Sequence, residues 1–598
     1  MGKNYQELDI LQFLLHNRAE TQRDIMNATG MSLGIVNRSL KALTEQGMID
    51  SDYQPTNAAR KMAQGSRPKR AVILAAGFGM RMIPINQEIP KGLIEIQGEP
   101  IIEHTIRQLQ AAGIREIHAV VGYKKERYDY LVDQFGVDLI ICNDYATRNN
   151  LYSLASAAEY LENAYIIPCD VYCYENPFRT EELYSWYMLK DEIRGDAEVR
   201  ATRTREIAYI PEGKEGNPVI GIAYLTAEDA AAARSRLEAM TAERKNHQAY
   251  WEEIISENRR MVIPARLAAP QAAIEINTYE QLRDLDYYSS QLRNQVTATI
   301  QEALDCRFDD IRDVTIIKKG LTNRSFLFTV RGVKYIMRIP GEGTDYLDRR
   351  WEGRIYDLIR GRGFCEDNIW FDPETGYKIS RYLEGCRVCN DEDPEEIAEV
   401  MRMGRRFHEL KFQEGPPLNI FEAIQSFEDE WTEPSRFRDY GKVKQSLWDM
   451  KPFIERYKHE SCTNHGDLNP DNVLITTGPD GEKKYDLIDW EYSVCNDPLT
   501  DVAAFITYNP HKNPKAYADA VIDAYYPEGC SREDRMLIYC YCGLWGMYNS
   551  TFCEYKMQLG VEMESFAMTV YRHAKDFSRI FWEEYRDWSG KKEAEGEK

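Results

Sequence analysis

Two short stretches of this chain combine residue types and spacings that suit phosphate chemistry. In the first, Gly77 and Gly79 follow an apolar run at 71–74, and Arg81 and Lys91 come shortly after. Glycine lets backbone N–H groups approach a triphosphate closely, and Arg and Lys add fixed positive charge. A bare Gly-x-Gly is also an ordinary turn, so the whole string from Leu74 to His104 carries the reading. In the second, His465, Asp467 and Asn472 stand at the spacing of a kinase catalytic loop, with Asp489 further on. There Asp467 would take the proton of an attacking hydroxyl, while Asn472 and Asp489 would hold Mg²⁺.

These stretches need elements to hold them. Residues 4–63 read as a small helical unit: an apolar stripe at 8–15, a second helix opened by Thr21, and a third over 33–46 capped by Ser32. A short wing-like hairpin would follow Gly47, and 64–70 reads as a linker. Apolar runs at 71–74, 117–121, 139–142 and 165–168 alternate with helical stretches such as 101–112, which predicts a mostly parallel sheet covered by helices. A helix over 284–303 leads to a third part. That part opens with a strand–turn–strand over 314–338 and turns helical after the acidic run at 391–394. The polar tail at 591–598 reads as frayed. The expected fold is therefore multidomain: a small α unit at 1–66, an α/β unit at 67–290, and an α+β unit at 291–598.

Composition narrows the class. With 598 residues the chain exceeds one ordinary core. No apolar run approaches a membrane span, and the first residues lack a secretory pattern, so no membrane insertion and a cytoplasmic location are expected. Thirteen scattered cysteines fit a reducing compartment, and the lone pair Cys386 and Cys389 reads as two buried thiols. The net charge of −22 argues against a nucleic-acid role for the whole chain, although residues 1–70 hold ten Lys/Arg against seven Asp/Glu.

The 4–63 pattern resembles winged helix-turn-helix domains, with Asn37, Arg38 and Lys41 outward on the helix that would read DNA. Dimerisation or regulation without DNA is an equal alternative. The string after Gly77 resembles the sugar-nucleotide type of nucleotidyltransferase, specifically its bacterial phosphocholine cytidylyltransferase branch, over about 70–290. That resemblance assigns the triphosphate to Gly77, Gly79, Arg81 and Lys91, with Arg81 and Lys91 also catalytic. It places Asn150 and Ser153 beside the nucleotide, and Mg²⁺ on Asp170, Glu275 and Asn277. Asn277 stands where many relatives carry Asp. Trp251 and Glu252, beside Tyr250 and Glu253, are the expected phosphocholine contacts; an aromatic pair here is otherwise core packing.

The second stretch has no protein-kinase Gly-rich motif. A polar turn at 319–325, including Asn323, could cover phosphates, and Arg338 replaces the usual strand lysine with Glu352 as its partner. Together with Asp489-Trp490-Glu491-Tyr492 this resembles the choline/ethanolamine kinase family over about 300–590. The resemblance implies that Trp490, Glu491 and Tyr492, with Trp545, Tyr548 and Trp582, surround a trimethylammonium group. The combined expectation is a two-step enzyme. ATP phosphorylates choline, and CTP then converts phosphocholine to CDP-choline for cell-surface glycans, both steps using Mg²⁺. Two alternatives stand beside it: the same reactions on ethanolamine or another amino- or sugar-alcohol, or a DNA-binding regulator with degenerate enzyme domains.

Overall fold

The computed structural model describes residues 4–319, 323–341, 344, 347–559, 561 and 563–596. The chain divides into two compact units, Met1–Thr299 and Ile300–Lys598.

The first unit begins with helices Tyr5–His16, Gln22–Thr29, Leu33–Glu45 and Asn57–Gly65. Thr21 and Asp24 form a reciprocal capping box, and Gly30 ends the second helix in the left-handed region. Ser32 sits at the expected cap position, but its side chain makes no capping bond. The wing is reduced to one bridge, Ile49 to Pro55, and a fourth helix occupies part of the expected linker. Asn37, Arg38 and Lys41 are exposed, because Val36, Ser39, Leu40 and Leu43 form the inward face of their helix.

Behind these helices lies a seven-stranded sheet. Arg70–Ala75 is an inner strand, paired in parallel with Glu116–Val121 and with the central strand Ala164–Pro168. Asp138–Ile141 extends one side in parallel, and Val219–Leu225 joins the other antiparallel. The sheet is thus mostly parallel, as its continuous apolar runs require. The expected helix at 284–303 is instead two helices, Tyr279–Leu285 and Gln295–Leu304, separated by a turn around Ser290–Leu292.

The N-terminal helices share one apolar core with a face of this sheet. Polar contacts fix the junction. Tyr184 Oη donates to Asp9 (2.5 Å), Arg205 pairs with the same carboxylate, and Gln12 donates to the Glu181 carbonyl. The Tyr5 and Tyr184 rings lie 5.1 Å apart.

The second unit opens with an antiparallel five-stranded sheet in the order Ile311–Lys319, Asn323–Val330, Val333–Pro340, Lys378–Arg381, Asn368–Phe371. The expected strand–turn–strand is therefore three strands. Helix Arg349–Ile359 follows the third of them, and the remainder is largely helical. Long helices Arg532–Gln558 and Glu564–Gly596 pack together, so the tail continues as helix beyond Lys591. A hairpin, Val473–Thr477 with Lys483–Leu487, carries the second motif strip.

Asp9→Ala removes the acceptor for both Tyr184 and Arg205. It is expected to lower the stability of the first unit by about 1–2 kcal/mol, the scale of a partly exposed charged hydrogen bond. Urea unfolding followed at the first transition checks this.

Candidate functional site

The first site forms where the central strands end. Gly79 is left-handed, and the Lys91 stem packs beside it. Gly77 faces open space, and Arg81 is exposed. Asp170 directly follows Ala164–Pro168 and Cys169, and its main-chain carbonyl accepts from Ile276 (2.9 Å). That bond, with the Val171–Glu275 pairing, brings Asp170, Glu275 and Asn277 onto neighbouring backbone. Lys91 Nζ pairs with Asp170 Oδ2 and donates to Asn277 Oδ1 (2.8 Å), while Arg81 donates to the same Oδ1 (3.1 Å). Asn277 was expected as a metal ligand; here its oxygen is engaged by two cations, so it orients them. Among the described residues, no cluster of three or more Asp, Glu, His or Cys is gathered for a metal. The other Asp170 oxygen is buried without a hydrogen-bond partner, and Glu275 is exposed nearby, so a divalent cation fits this pair.

Asn150 Oδ1 accepts from the Trp251 amide (2.9 Å), and Ser153 is buried on the same short helix. The Trp251 ring is fully enclosed in the core beside Tyr187. This corrects its expected place as a binding wall: an apolar ring on a one-turn helix is drawn inward, and the exposed aromatic is Tyr250. Glu252 accepts from Tyr187 Oη (3.1 Å), and burial pushes its carboxyl up to about 7.

The second site is built on Cys462–Asn464 and the loop that follows it. Asp501 is buried and accepts from the His465 amide (2.8 Å), the Gly466 amide (2.9 Å) and the His408 ring (3.0 Å). Gly466 has φ 80°, and a Cβ there would lie 1.9 Å from the Tyr492 carbonyl oxygen. Asp467 is therefore presented on a loop pinned from two sides. Asn472 Nδ2 donates to both the carbonyl and Oδ2 of Asp467 (2.9 Å each). Burial, followed by the neighbouring Asp489, pushes Asp467 up to about 7, although Asn469 and Asn472 donate to it. Asp489 is left-handed, and burial raises its affinity for a proton against the pull of Lys378. The Ile488 amide donates to the Asn472 carbonyl (2.9 Å), which sets Asp489 next to Asn472 as the pair that would hold a divalent cation and leaves Asp467 to take a proton.

Arg338 and Glu352 pair as expected (2.5 Å), but both are buried, so this is not a weak surface ion pair. Glu491 accepts from Asn323 and Arg349, which occupies its carboxylate; it is not an open ligand for a trimethylammonium group. Trp490 is also core, packed on Phe407 with its indole N–H on the Leu487 carbonyl. Tyr492 is half-buried. Trp545 and Tyr548 lie together (5.5 Å), while Trp582 is held by Ser446 in a separate aromatic stack with Phe581 and Tyr585. The expected turn residues 320–322 lie outside the described residues.

Sequence reading missed Asp501, Arg349 and Lys378. Lys378 is buried, donates to Glu366 (2.5 Å) and Tyr356 (2.8 Å), and lies opposite Arg338 in the sheet register. Lys378 opens the short strand Lys378–Arg381, whose own polar residues gave no local signal of its burial.

Two predictions follow from this geometry. Gly466→Ala forces a side chain into the Tyr492 carbonyl and is expected to cut phosphoryl transfer by about 100-fold or more. Cytidylyl transfer by the same protein should be unchanged in parallel assays. Glu252 binds its proton more tightly folded than unfolded, so its contribution is full below the ordinary Glu value and is lost as pH rises through about 7. Glu252→Gln should therefore raise the melting temperature at pH 8, by about 2–4 °C per kcal/mol, with little effect at pH 5.

Comparison with known proteins accords with this geometry. A model of the MobA-like NTP transferase domain matches residues 71–250, the phosphotransferase enzyme family matches 313–536, and a winged helix-turn-helix DNA-binding domain matches 3–50. The choline-phosphate cytidylyltransferase of Streptococcus pneumoniae is 30% identical over 223 residues, 36% of this chain and 96% of the relative. The 2-aminoethylphosphonate cytidylyltransferase of Lancefieldella rimae is 27% identical over 225 residues, 36% and 92% of the two chains. A solved choline kinase from Streptococcus pneumoniae aligns over 49% of this chain and 100% of its own, with 22% identity and a TM-score of 0.42. Over its first catalytic part the chain belongs to the choline-phosphate cytidylyltransferase family, and over residues 313–536 it matches the phosphotransferase enzyme family, so that one polypeptide carries a nucleotidyltransferase part and a kinase part.

Proposed function

We propose that this chain makes CDP-choline in two steps, with parts at 1–66, 67–290 and 291–598. The carrying observation is that Asp467, pinned through Asp501 and Asn472, accompanies a cytidylyltransferase-family site whose acceptor would be the kinase product. In the kinase part, Asp467 accepts the proton of the choline hydroxyl. The alcohol oxygen bonds to the γ-phosphorus of ATP, the β–γ bridge breaks, and ADP leaves. A carboxylate with raised proton affinity suits that role. In the other part, a phosphocholine oxygen attacks the α-phosphorus of CTP and pyrophosphate departs. Lys91 and Arg81, aligned by Asn277, hold the triphosphate charge over the Gly77–Gly79 loop, with Asn150 and Ser153 beside the nucleotide.

Mg²⁺ would be held by Asp170 and Glu275 in one part and by Asp489 and Asn472 in the other, where it neutralises phosphate oxygens. Asn323, Arg338 and Glu352 support the ATP end, and Tyr492 and Tyr548 are the partly exposed rings left for the choline methyl groups, because the expected Trp545 is enclosed in the core beside Tyr548. Unpaired cysteines and the absence, among the described residues, of a helix long and apolar enough to cross a membrane support a cytoplasmic setting. The product would supply phosphocholine for cell-surface glycans. The exposed Asn37, Arg38 and Lys41 offer a face for DNA or a second copy, which a salt-dependent gel shift with the full chain addresses.

The aminoethylphosphonate relative favours one second reading, an unmethylated amine acceptor. Incubation with choline, ATP and CTP should give CDP-choline, and trimethylated acceptors should outcompete ethanolamine. Preference for the unmethylated amine would favour the second reading. Asp467→Ala should abolish phosphocholine formation and leave cytidylylation of added phosphocholine intact. Loss of both would overturn the two-site assignment.

A further inference from the structure

Helix Arg349–Ile359 presents Glu352 to Arg338, and one turn earlier it presents Arg349 on the same face. Arg349 Nη1 donates to Glu352 Oε2 and to Glu491 Oε2, each at 2.7 Å. Arg338 Nη1 lies 2.5 Å from Glu352 Oε1 and 3.6 Å from Glu491 Oε2. Asn323 Nδ2 then donates to both oxygens of Glu491 at 3.0 Å. The result is one connected set, Asn323–Glu491–Arg349–Glu352–Arg338, running from the five-stranded sheet through the helix to the segment that carries Asp489.

Backbone is shaped around Arg349. Gly376 has φ 70°, and a Cβ there would lie 3.0 Å from Arg349 Nε and 2.8 Å from Pro340 Cγ. The Arg349 Nη2 atom is enclosed and makes no hydrogen bond among the described residues, so the guanidinium is seated by its Nη1 bonds and its stem. With Arg349 removed, only the longer contact of Arg338 with Glu491 (3.6 Å) would still offset the repulsion between Glu352 and Glu491.

We propose that Arg349 is a positioning residue for phosphoryl transfer. By clamping Glu491 to Glu352, it fixes the one-turn helix Trp490–Tyr492 and so holds Asp489 at a set place relative to the Arg338 helix partner. This rests on the kinase reading above. It assigns to one arginine the coupling between helix and metal-binding segment that the Arg338–Glu352 pair does not make alone.

The test compares wild type, Arg349→Ala and Arg349→Lys in the full chain. For Arg349→Ala, kcat for choline phosphorylation should fall by about 20-fold or more, with KM for choline within about 3-fold and half-saturating Mg²⁺ raised by about 5-fold. Arg349→Lys should fall between, because an ammonium can sit between two carboxylates but lacks the planar fork. Cytidylylation of added phosphocholine is the internal control for protein amount. A folded Arg349→Ala with wild-type kcat and Mg²⁺ dependence overturns the proposal. If Arg349→Ala unfolds the kinase unit, Arg349→Lys decides: a reduced kcat supports the clamp, and a wild-type rate overturns it. Should wild type fail to phosphorylate choline, the kinase reading falls, while the Mg²⁺-dependent thermal shift by ATP still judges the clamp. Loss of that shift in the folded variant supports it, and an unchanged shift overturns it.

Discussion

The kinase part turns on one buried carboxylate. Asp501 is almost entirely enclosed, and a lone carboxylate there would take up a proton instead of carrying charge. Donors from His408, His465 and Gly466 counter that burial and hold its pKa below the ordinary range. The arrangement is stable only with all donors in place, because an unpaired buried charge is strongly unfavourable. The loop backbone is therefore fixed before any substrate arrives. Gly466 can then meet the Tyr492 carbonyl, Asp467 is aimed by Asn472, and the hairpin from Val473 delivers Asp489.

The nucleotidyltransferase part reaches order differently. Its glycine loop leaves a strand paired on both sides, so the sheet ladder sets where Gly77 begins. The charged groups beyond it are more open. Arg81 is exposed, and Lys91 rests on Asp170 and Asn277. Lys91 is already paired with Asp170, so a neutral amide at position 277 leaves the charge of Arg81 uncancelled, where a carboxylate would have neutralised it. The same need, concentrated charge for phosphates, is met by a buried, pre-paired scaffold in one part and by an accessible cationic mouth in the other.

What could be read from sequence follows from the range of the forces involved. Local patterns were legible: the apolar runs at 71–74, 117–121 and 165–168 are the central strands, Thr21 caps its helix, and His465 to Asn472 form one loop. Single helices whose breaks have local causes were less so; the turn near Ser290 interrupts a pattern that reads as continuous. The least legible residues are those that act across the chain. Asp501 binds a loop more than thirty residues upstream, and Arg349 reaches Glu491 across 142 positions. Nothing in the local composition of either segment marks that meeting, and only the fold brings them together. The junction of the N-terminal helices with Tyr184 is of the same kind.

The aromatic residues show the complementary error. Trp251, Trp490 and Trp582 sit beside acidic or motif residues in sequence, which suits a cation cage on paper. A large ring adjacent to a fixed turn has a stronger use, because burying it removes much apolar surface from water and locks the turn that bears the charged neighbour. Trp490 does this for Asp489 and Glu491 through its contact with Phe407 and its bond to the Leu487 carbonyl. Trp251 does it for Glu252 against Tyr187. A cage wall must instead keep a face open, and half-exposed tyrosines meet that condition where enclosed tryptophans cannot. Under the proposed function, tyrosines such as Tyr492, Tyr548 and Tyr250 are the rings that keep a face accessible to a quaternary amine while their hydroxyl ends tolerate water.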